Sequence, residues 1–399
     1  MRTLLTEVDK RVLIRLNKNI RPGESNGVMD FGEQNNYPQI IERLINGSVN
    51  ARSIANINSR FLIGSGFENE VINSVPVGKD IRGKDITLLM LLKQVCSDLS
   101  IYNGCYIHNT ITLERKVKST KYLPFKNCRF TKQDDLGYCS SICYYDNWEK
   151  DPTIKKRFNP EEIKTYPIFN LQEQVFASQV TKYGIEENGK NNFPGQVNFL
   201  FLDNQFLYPL AVIDSVYMDA DTESQISIYK NNQLRNGMID KVVMRVQSPT
   251  DDRDREALQT KVKSFLGADG DPVLVLEDEV DENGEIKKTG AFAIDKIPSN
   301  INDKLFETWE KSLMNNIRKA YYALPALLID YEESKLGTTS GEAIIQATQF
   351  YNSMTRDHRN SISQFFKEIF SNFDNDILAK NDNWKIKELT LYDNATVKL

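Results

Sequence analysis

The chain has 399 residues, a formal net charge of −5 at neutral pH, 40% hydrophobic and 26% charged residues. That length leaves room for two or three structural units with a sizeable core. The acidic balance excludes a generally basic nucleic-acid coat, because phosphate neutralisation needs clustered positive charge.

No apolar stretch approaches the roughly 20 residues that cross a bilayer; the longest, Ile86–Leu92 and Ala323–Ile329, are broken by Thr87 and Pro325. The first residues are charged throughout and lack the apolar core of a secretory signal. Neither a membrane protein nor a secreted one is expected. Five cysteines, Cys96, Cys105, Cys128, Cys139 and Cys143, show no CxxC pair, which fits a reduced compartment better than a disulfide framework.

In chain order, Pro38–Ile45 reads as a helix with proline in its first turn and Asn46-Gly47 as its stop. A second helix is expected from Ser48 to Leu62, offering Val49, Ile54, Ile57 and Phe61 for burial, and a third over Thr87–Ile101. From Ile101 to Phe176 the pattern turns to β, rich in Tyr, Ile, Val and Phe and punctuated by turn signals. The charged run Asp146–Lys156, with Pro152, reads as an exposed loop.

Pro209 opens a helical pattern carrying Leu210, Ile213, Tyr217, Ala220 and Ile228, which stops at Asn236-Gly237. A strand (Met238–Val246), a polar helix (Asp251–Leu266) and a hairpin pairing Val273–Val280 with Ile286–Ile297 across Asn283-Gly284 should follow. Asn302 then caps a helix whose Leu305, Trp309, Leu313, Ile317 and Tyr321 recur every four positions, and Pro325 ends it. After an irregular piece, Ala326–Thr338, Thr339 and Glu342 form a capping-box pattern. The helix they open can run to Phe373, roughly 50 Å at 1.5 Å per residue. Its stripe is Ile344, Thr348, Tyr351, Thr355, His358, Ile362, Phe365 and Ile369, and a terminal strand is expected at Trp384–Leu391.

Catalytic readings find little support. A Cys105–His108 pair lies on a strand, and a separation of three puts the two side chains on opposite faces. No nucleophile elbow is present, and Gly64-Ser65-Gly66 has no lysine where a phosphate loop needs one, so a tight turn at positive φ explains it. Cys139 and Cys143 complete no zinc-ligand set. His358, the other of the two histidines, is expected half-buried with a satisfied ring nitrogen. No catalytic residue, metal site or cofactor is assigned.

Three ordered stretches carry a resemblance. The first is Phe31-Gly32-x-x-Asn35-x-Tyr37-Pro38, two helices, then Phe61-Leu62-Ile63-Gly64-x-Gly66-Phe67. The second is Leu234-Arg235-Asn236-Gly237, a strand, a polar helix and Val273-Leu274-Val275-Leu276-Glu277. The third is the helix ending at Tyr321, then Leu324-Pro325-Ala326-Leu327-Leu328, a loop and Ser340-Gly341-Glu342-Ala343. In this order the chain resembles the portal proteins of tailed bacteriophages, in the compact form found with long-tailed phages.

The resemblance implies an α+β portal fold: a mixed α/β wing, a two-helix stem, an α/β clip insertion, a long wing helix and at most a small crown. The implied boundaries are 1–208 for the N-terminal region and wing, 209–236 and 299–324 for the stem helices, and 237–298 for the clip. A tunnel loop follows at 325–340, and 341–399 holds the long helix and a terminal strand or small crown. The implied assembly is a dodecameric ring at one capsid vertex, in the virion after assembly in the host cytoplasm. Double-stranded DNA passes through it during packaging and ejection. Its implied partners are the major capsid protein, terminase and a neck or adaptor protein, with no membrane and no enzymatic activity of its own.

Under the same likeness Glu332, Glu333, Ser334 and Lys335 belong to the tunnel loop, with Lys335 as a transient phosphate contact. Asp251, Asp252, Asp254, Glu277, Asp278 and Glu279 mark the clip docking surface, and Trp309, Leu313, Ile317 and Tyr321 the stem packing. Twelve such acidic subunits would carry about −60, a field that discourages DNA from adhering to the wall. The alternatives are another virion structural protein, such as an adaptor or minor capsid component, and a metal-dependent nucleic-acid enzyme.

Overall fold

The computed structural model describes residues 24–25, 27–32, 34–148, 162–184, 192–235, 242–247, 273–278, 295–296, 303–329 and 342–390. The chain divides into two compact units, Met1–Val216 together with Ile317–Leu399, and Tyr217–Asn316.

In the first unit β1 (Glu24–Ser25) and β2 (Val28–Met29) form a short antiparallel pair. Helix α1 (Tyr37–Gly47) carries Pro38 in its first turn, where the missing N–H costs nothing. Ser48 both follows it and caps α2 (Val49–Ile63), its Oγ accepting from the Ala51 N–H at 3.0 Å. The stripe Ala51, Ile54, Ala55, Asn58, Phe61 and Leu62 is buried. Val49, expected among the buried residues, is 77% exposed, because as the first helical residue it lies off that stripe.

Gly64 ends α2 at φ 56°, and a Cβ there would stand 2.0 Å from the Lys387 carbonyl oxygen. Only glycine fits the turn. Helix α3 (Glu70–Asn73) leads to the hairpin of β3 (Pro76–Lys79) and β4 (Asp85–Thr87).

Thr87 caps α4 (Leu88–Tyr102), which is buried along most of its length. Sequence pattern starts the next strand at Ile101. The helix instead persists to Tyr102, and Asn103, left-handed at φ 57°, makes the turn into β5 (Gly104–Ile111). Asn103-Gly104 is a helix stop of the same kind as Asn46-Gly47, and it, not the apolar Ile101, marks the boundary. β5 is the centre of an antiparallel sheet between β6 (Val117–Leu123) and β10 (Gln196–Phe201). A second antiparallel sheet holds β7 (Cys128–Phe130), β8 (Ser141–Tyr144) and β9 (Lys164–Pro167) in that order.

Two expectations change here. Trp148, read as loop, is buried, its indole N–H donating to the Asn127 carbonyl at 2.8 Å. Phe176, read as the end of the β region, lies inside α5 (Glu173–Tyr183). Phe176 is the one residue of that helix classed as buried, so the apolar period that announces a helix is missing.

In the second unit the helix expected from Pro209 is α6 (Tyr217–Arg235), preceded by a 3-10 turn at Val212–Val216. β11 (Val242–Gln247) pairs in parallel with β12 (Val273–Asp278) and antiparallel with β13 (Asp295–Lys296), giving the order β12-β11-β13. The expected hairpin is corrected at its described end: among the described residues Asp295–Lys296 pairs with β11, not with β12, and the rest of the expected second strand and its turn lie outside them. Asn283-Gly284 favours a local reversal, but a parallel ladder and its crossover place β11 between the other two strands. The expected polar helix Asp251–Leu266 lies outside the described residues.

Helix α7 (Asp303–Ala320) is followed by a 3-10 turn at Ala326–Leu328. The long helix expected from Glu342 to Phe373 is two helices, α8 (Glu342–Met354) and α9 (Arg356–Phe370). Thr355 separates them at φ −97°, ψ 3°. There the Arg359 guanidinium inserts into the helical ladder, donating to the Asn352 carbonyl at 2.8 Å and to Thr355 Oγ1 at 2.7 Å. A side chain taking a ladder carbonyl is a recognised cause of a helix break. The expected stripe survives the break, with Ile344, Thr348, Tyr351, Ile362, Phe365 and Ile369 all buried.

After α10 (Asp376–Ala379) the expected terminal strand is reduced to one antiparallel bridge between Ile386 and Phe67. The core joins α4 (Leu91, Leu92, Val95, Leu99) to β5 and to Phe365, Phe366, Ile369 and Phe370 of α9. Each such side chain contributes about 1.5–3 kcal/mol by burial, so the return of the chain completes the first unit.

Candidate functional site

The catalytic reading can be tested by geometry. Cys105 is fully buried in the core, and burial pushes its thiol pKa well above the ordinary value. His108 bonds through Nε2 to the Pro194 carbonyl at 2.6 Å and lies against the Tyr166 ring. Desolvation lowers its pKa, which keeps the imidazole neutral. Thiol and imidazole sit on opposite faces of β5, so they share no proton. All five cysteines are free, and among the described residues no group of three His, Cys, Asp or Glu side chains could hold a metal. No helix among them is long and apolar enough to cross a membrane.

An open groove of about 800 Å³ runs between α5 and the segments around Ser140 and Phe169, with Gln174, Ser178 and Lys182 on its helical wall. None of the residues singled out by sequence for a functional site lines it.

The frame around the expected tunnel loop is well defined, although Glu332, Glu333, Ser334 and Lys335 lie outside the described residues. On one side α7 ends in a tight reversal with Tyr322 and Ala323 at φ 56° and 53°. Leu324 N–H returns to the Arg318 carbonyl at 3.1 Å, and Arg318 Nε donates to the Leu324 carbonyl at 2.8 Å. On the other side α8 packs against the 3-10 turn Ala326–Leu328. The two sides are tied together by Tyr351, whose hydroxyl meets Asn58 Oδ1 at 3.0 Å and the Tyr321 carbonyl at 3.2 Å.

Beside this knot His358 packs on the Tyr322 ring at 4.9 Å, and desolvation lowers its pKa. The expectation of a satisfied ring nitrogen is corrected: buried Nδ1 has no hydrogen-bond partner among the described residues. Arg359 anchors the same region, adding bonds to the Phe61 carbonyl at 3.3 Å and to Glu388 at 3.2 Å.

The expected stem residues divide. Leu313, Ile317 and Tyr321 are buried, whereas Trp309 is 43% exposed. Within the second unit α6 and α7 run antiparallel, joined by Asn316 Nδ2 to Asp219 Oδ1 at 3.0 Å and by the Lys230–Glu310 ion pair. Among the described residues their buried rows are narrow: Ala220, Glu223 and Ile226 on α6 and Leu313 and Ile317 on α7. Met218 and Trp309 stand out of them.

Of the expected clip surface, Glu277 and Asp278 close β12, opposite Val246 and Gln247 of β11. Asp251, Asp252, Asp254 and Glu279 lie outside the described residues.

Two arginines that sequence reading missed organise the first unit. Arg129 is wholly buried, donating to Asn35 Oδ1 at 2.6 Å, to the Asn35 carbonyl at 2.9 Å and to the Cys128 carbonyl at 2.7 Å. The rings of Phe31 and Trp148 lie at 5.6 and 5.5 Å from its guanidinium carbon. Desolvation lowers its pKa to about 10, so it stays charged at neutral pH. Arg359 is the other. No local pattern marks a buried arginine, because much of its burial comes from groups distant in sequence, Asn35 for Arg129 and Phe61 for Arg359.

The described residues therefore define an α+β protein: a mixed body built from an N-terminal and a C-terminal part of the chain, with a helix-flanked three-stranded unit between them in sequence. The chain is similar to a chain of the neck of an empty gene transfer agent particle, solved with C6 symmetry. Identity is 11%, coverage 91% of this chain and 86% of that one, and the TM-score 0.48. It is also similar to a chain of the native gene transfer agent virion, at 11% identity, coverage of 91% and 85%, and a TM-score of 0.46. An HK97-family phage portal protein from Corynebacterium diphtheriae matches at 9% identity, coverage of 85% and 93%, and a TM-score of 0.39. No family model and no curated protein matches the sequence.

Proposed function

We propose that this chain is the subunit of a portal ring: a channel for double-stranded DNA at one capsid vertex. It would dock terminase during packaging and neck or tail proteins afterwards. The ordered sequence motifs support this reading, and the inserted unit carries it. Two antiparallel helices bracket a three-stranded sheet, and among the described residues each buries only a narrow row, Ala220, Glu223 and Ile226 on one and Leu313 and Ile317 on the other. Such helices gain their remaining burial from neighbours, as the stem of a ring requires.

A conduit must also hold DNA without gripping it, since every phosphate–cation contact adds affinity and friction. An acidic subunit repeated around a hole meets that requirement. Negative-stain imaging of the purified protein tests the proposal. Annular particles with a central hole, averaging to twelve-fold symmetry, are expected. Compact monomers or solid particles would overturn it.

A further inference from the structure

Charge is unevenly spread along the first unit. No Asp or Glu occurs between Glu42 and Glu68, although the chain holds 55 of them. The charged residues inside that interval are Arg43, Arg52 and Arg60. The carboxylates at its borders are already engaged, Glu42 with Lys126 at 2.9 Å and Glu68 with Lys385 at 2.7 Å.

Helical spacing gathers Val49, Arg52, Asn56, Arg60 and Ile63 of α2 onto one face, at i, i+3, i+7, i+11 and i+14, opposite its buried stripe. Arg52, Asn56 and Arg60 are exposed, Val49 is 77% exposed, and Ile63 is half-buried. The Arg52 guanidinium donates to Asn46 Oδ1 at 3.2 Å, and neither Arg52 nor Arg60 meets a carboxylate among the described residues. Beyond the helix, Ser65 N–H donates to the Lys387 carbonyl at 3.0 Å, and the adjacent Glu388 pairs with Arg359 at 3.2 Å. The face is cationic and apolar, and the nearby anions are spent elsewhere.

We propose that the Val49/Arg52/Asn56/Arg60/Ile63 face of α2 docks an acidic amphipathic helix of a different protein. Arg52 and Arg60 stand about 12 Å apart along the axis at 1.5 Å per residue, so carboxylates eight residues apart on a partner helix meet both. Val49 and Ile63, at the two ends, give that helix apolar surface to bury, and arginine beside apolar side chains is a protein-interface composition. No described helix of this chain carries two carboxylates eight residues apart, so the partner is another polypeptide. A nucleic acid fits less well. Two cations answer few of its phosphates, the net charge of −5 repels a polyanion, and Val49 finds no partner on a phosphate backbone. The proposal goes beyond the ring reading and does not need it.

The test uses the full chain and a fluorescein-labelled helical peptide with two glutamates eight residues apart and leucines in the flanking turns. Binding is followed by fluorescence anisotropy, with a Gln-for-Glu peptide and a short DNA duplex as comparison probes. The glutamate peptide is expected to bind, less well as salt rises, and the other two probes at least about five-fold more weakly. Arg52→Gln combined with Arg60→Gln should weaken peptide binding about five- to ten-fold while circular dichroism stays native. Arg82→Gln, in the β3–β4 turn, should leave it unchanged.

Equal binding by the double variant, or tighter binding of the duplex than of the glutamate peptide, overturns the proposal. So does a photo-crosslink from p-benzoylphenylalanine in place of Asn56 that reaches only a second copy of the chain. Rings that close normally while the peptide fails to bind overturn the docking face and leave the ring reading intact. Peptide binding by a chain that forms no rings upholds the face and overturns the ring.

Discussion

Asp98 shows how a single residue is governed by what surrounds it. Burial raises its carboxyl pKa to about 7, against hydrogen bonds from Tyr122 and from the Phe125 N–H at 3.0 Å that lower it. Between the unfolded value near 4 and this folded value the native state holds a proton that the unfolded state has lost. Stability therefore falls as pH rises through that window, by at most about 1.4 kcal/mol per unit. His108 and His358, whose pKa values burial lowers, act with the opposite sign, adding stability as pH rises toward the ordinary imidazole value. The Asp98→Asn variant isolates the first effect: its melting temperature should change less between pH 5 and 8 than that of the wild type. Parallel slopes in thermal melts would remove Asp98 from the account. None of this is legible in sequence, where Asp98 is one of 55 acidic residues.

At the scale of elements, sequence reading succeeds where a local signal and tertiary packing agree. Ser48 punctuates α1 and α2, and Thr87 caps α4, where expected. It fails where a side chain's tertiary contacts override the local pattern. The break at Thr355 depends on the Arg359 guanidinium reaching Asn352, Phe61 and Glu388. Arg359→Leu keeps the bulk but strands those acceptors, and a loss of about 2–4 kcal/mol is expected in urea titrations. A variant as stable as the wild type would show that the guanidinium does not hold the junction. The hairpin across Asn283-Gly284 failed in the same way: turn chemistry is local, but the choice of partner strand belongs to the sheet.

For the whole molecule, the proposed ring makes one prediction about passage and not about assembly. Lys335→Glu should slow or stall DNA translocation in a packaging assay while rings still form; unchanged packaging would remove Lys335 from the DNA path. The sequence by itself determined the acidic balance, most of the helices and the amphipathic stripes of the second half. These follow from composition and periodicity, which act over a few residues. Only the tertiary structure decided which strand lies between which. It alone decided that the long helix breaks and that two arginines are buried among backbone carbonyls and side-chain oxygens. Those outcomes depend on groups brought together from positions far apart in the chain, and no local pattern encodes such a meeting.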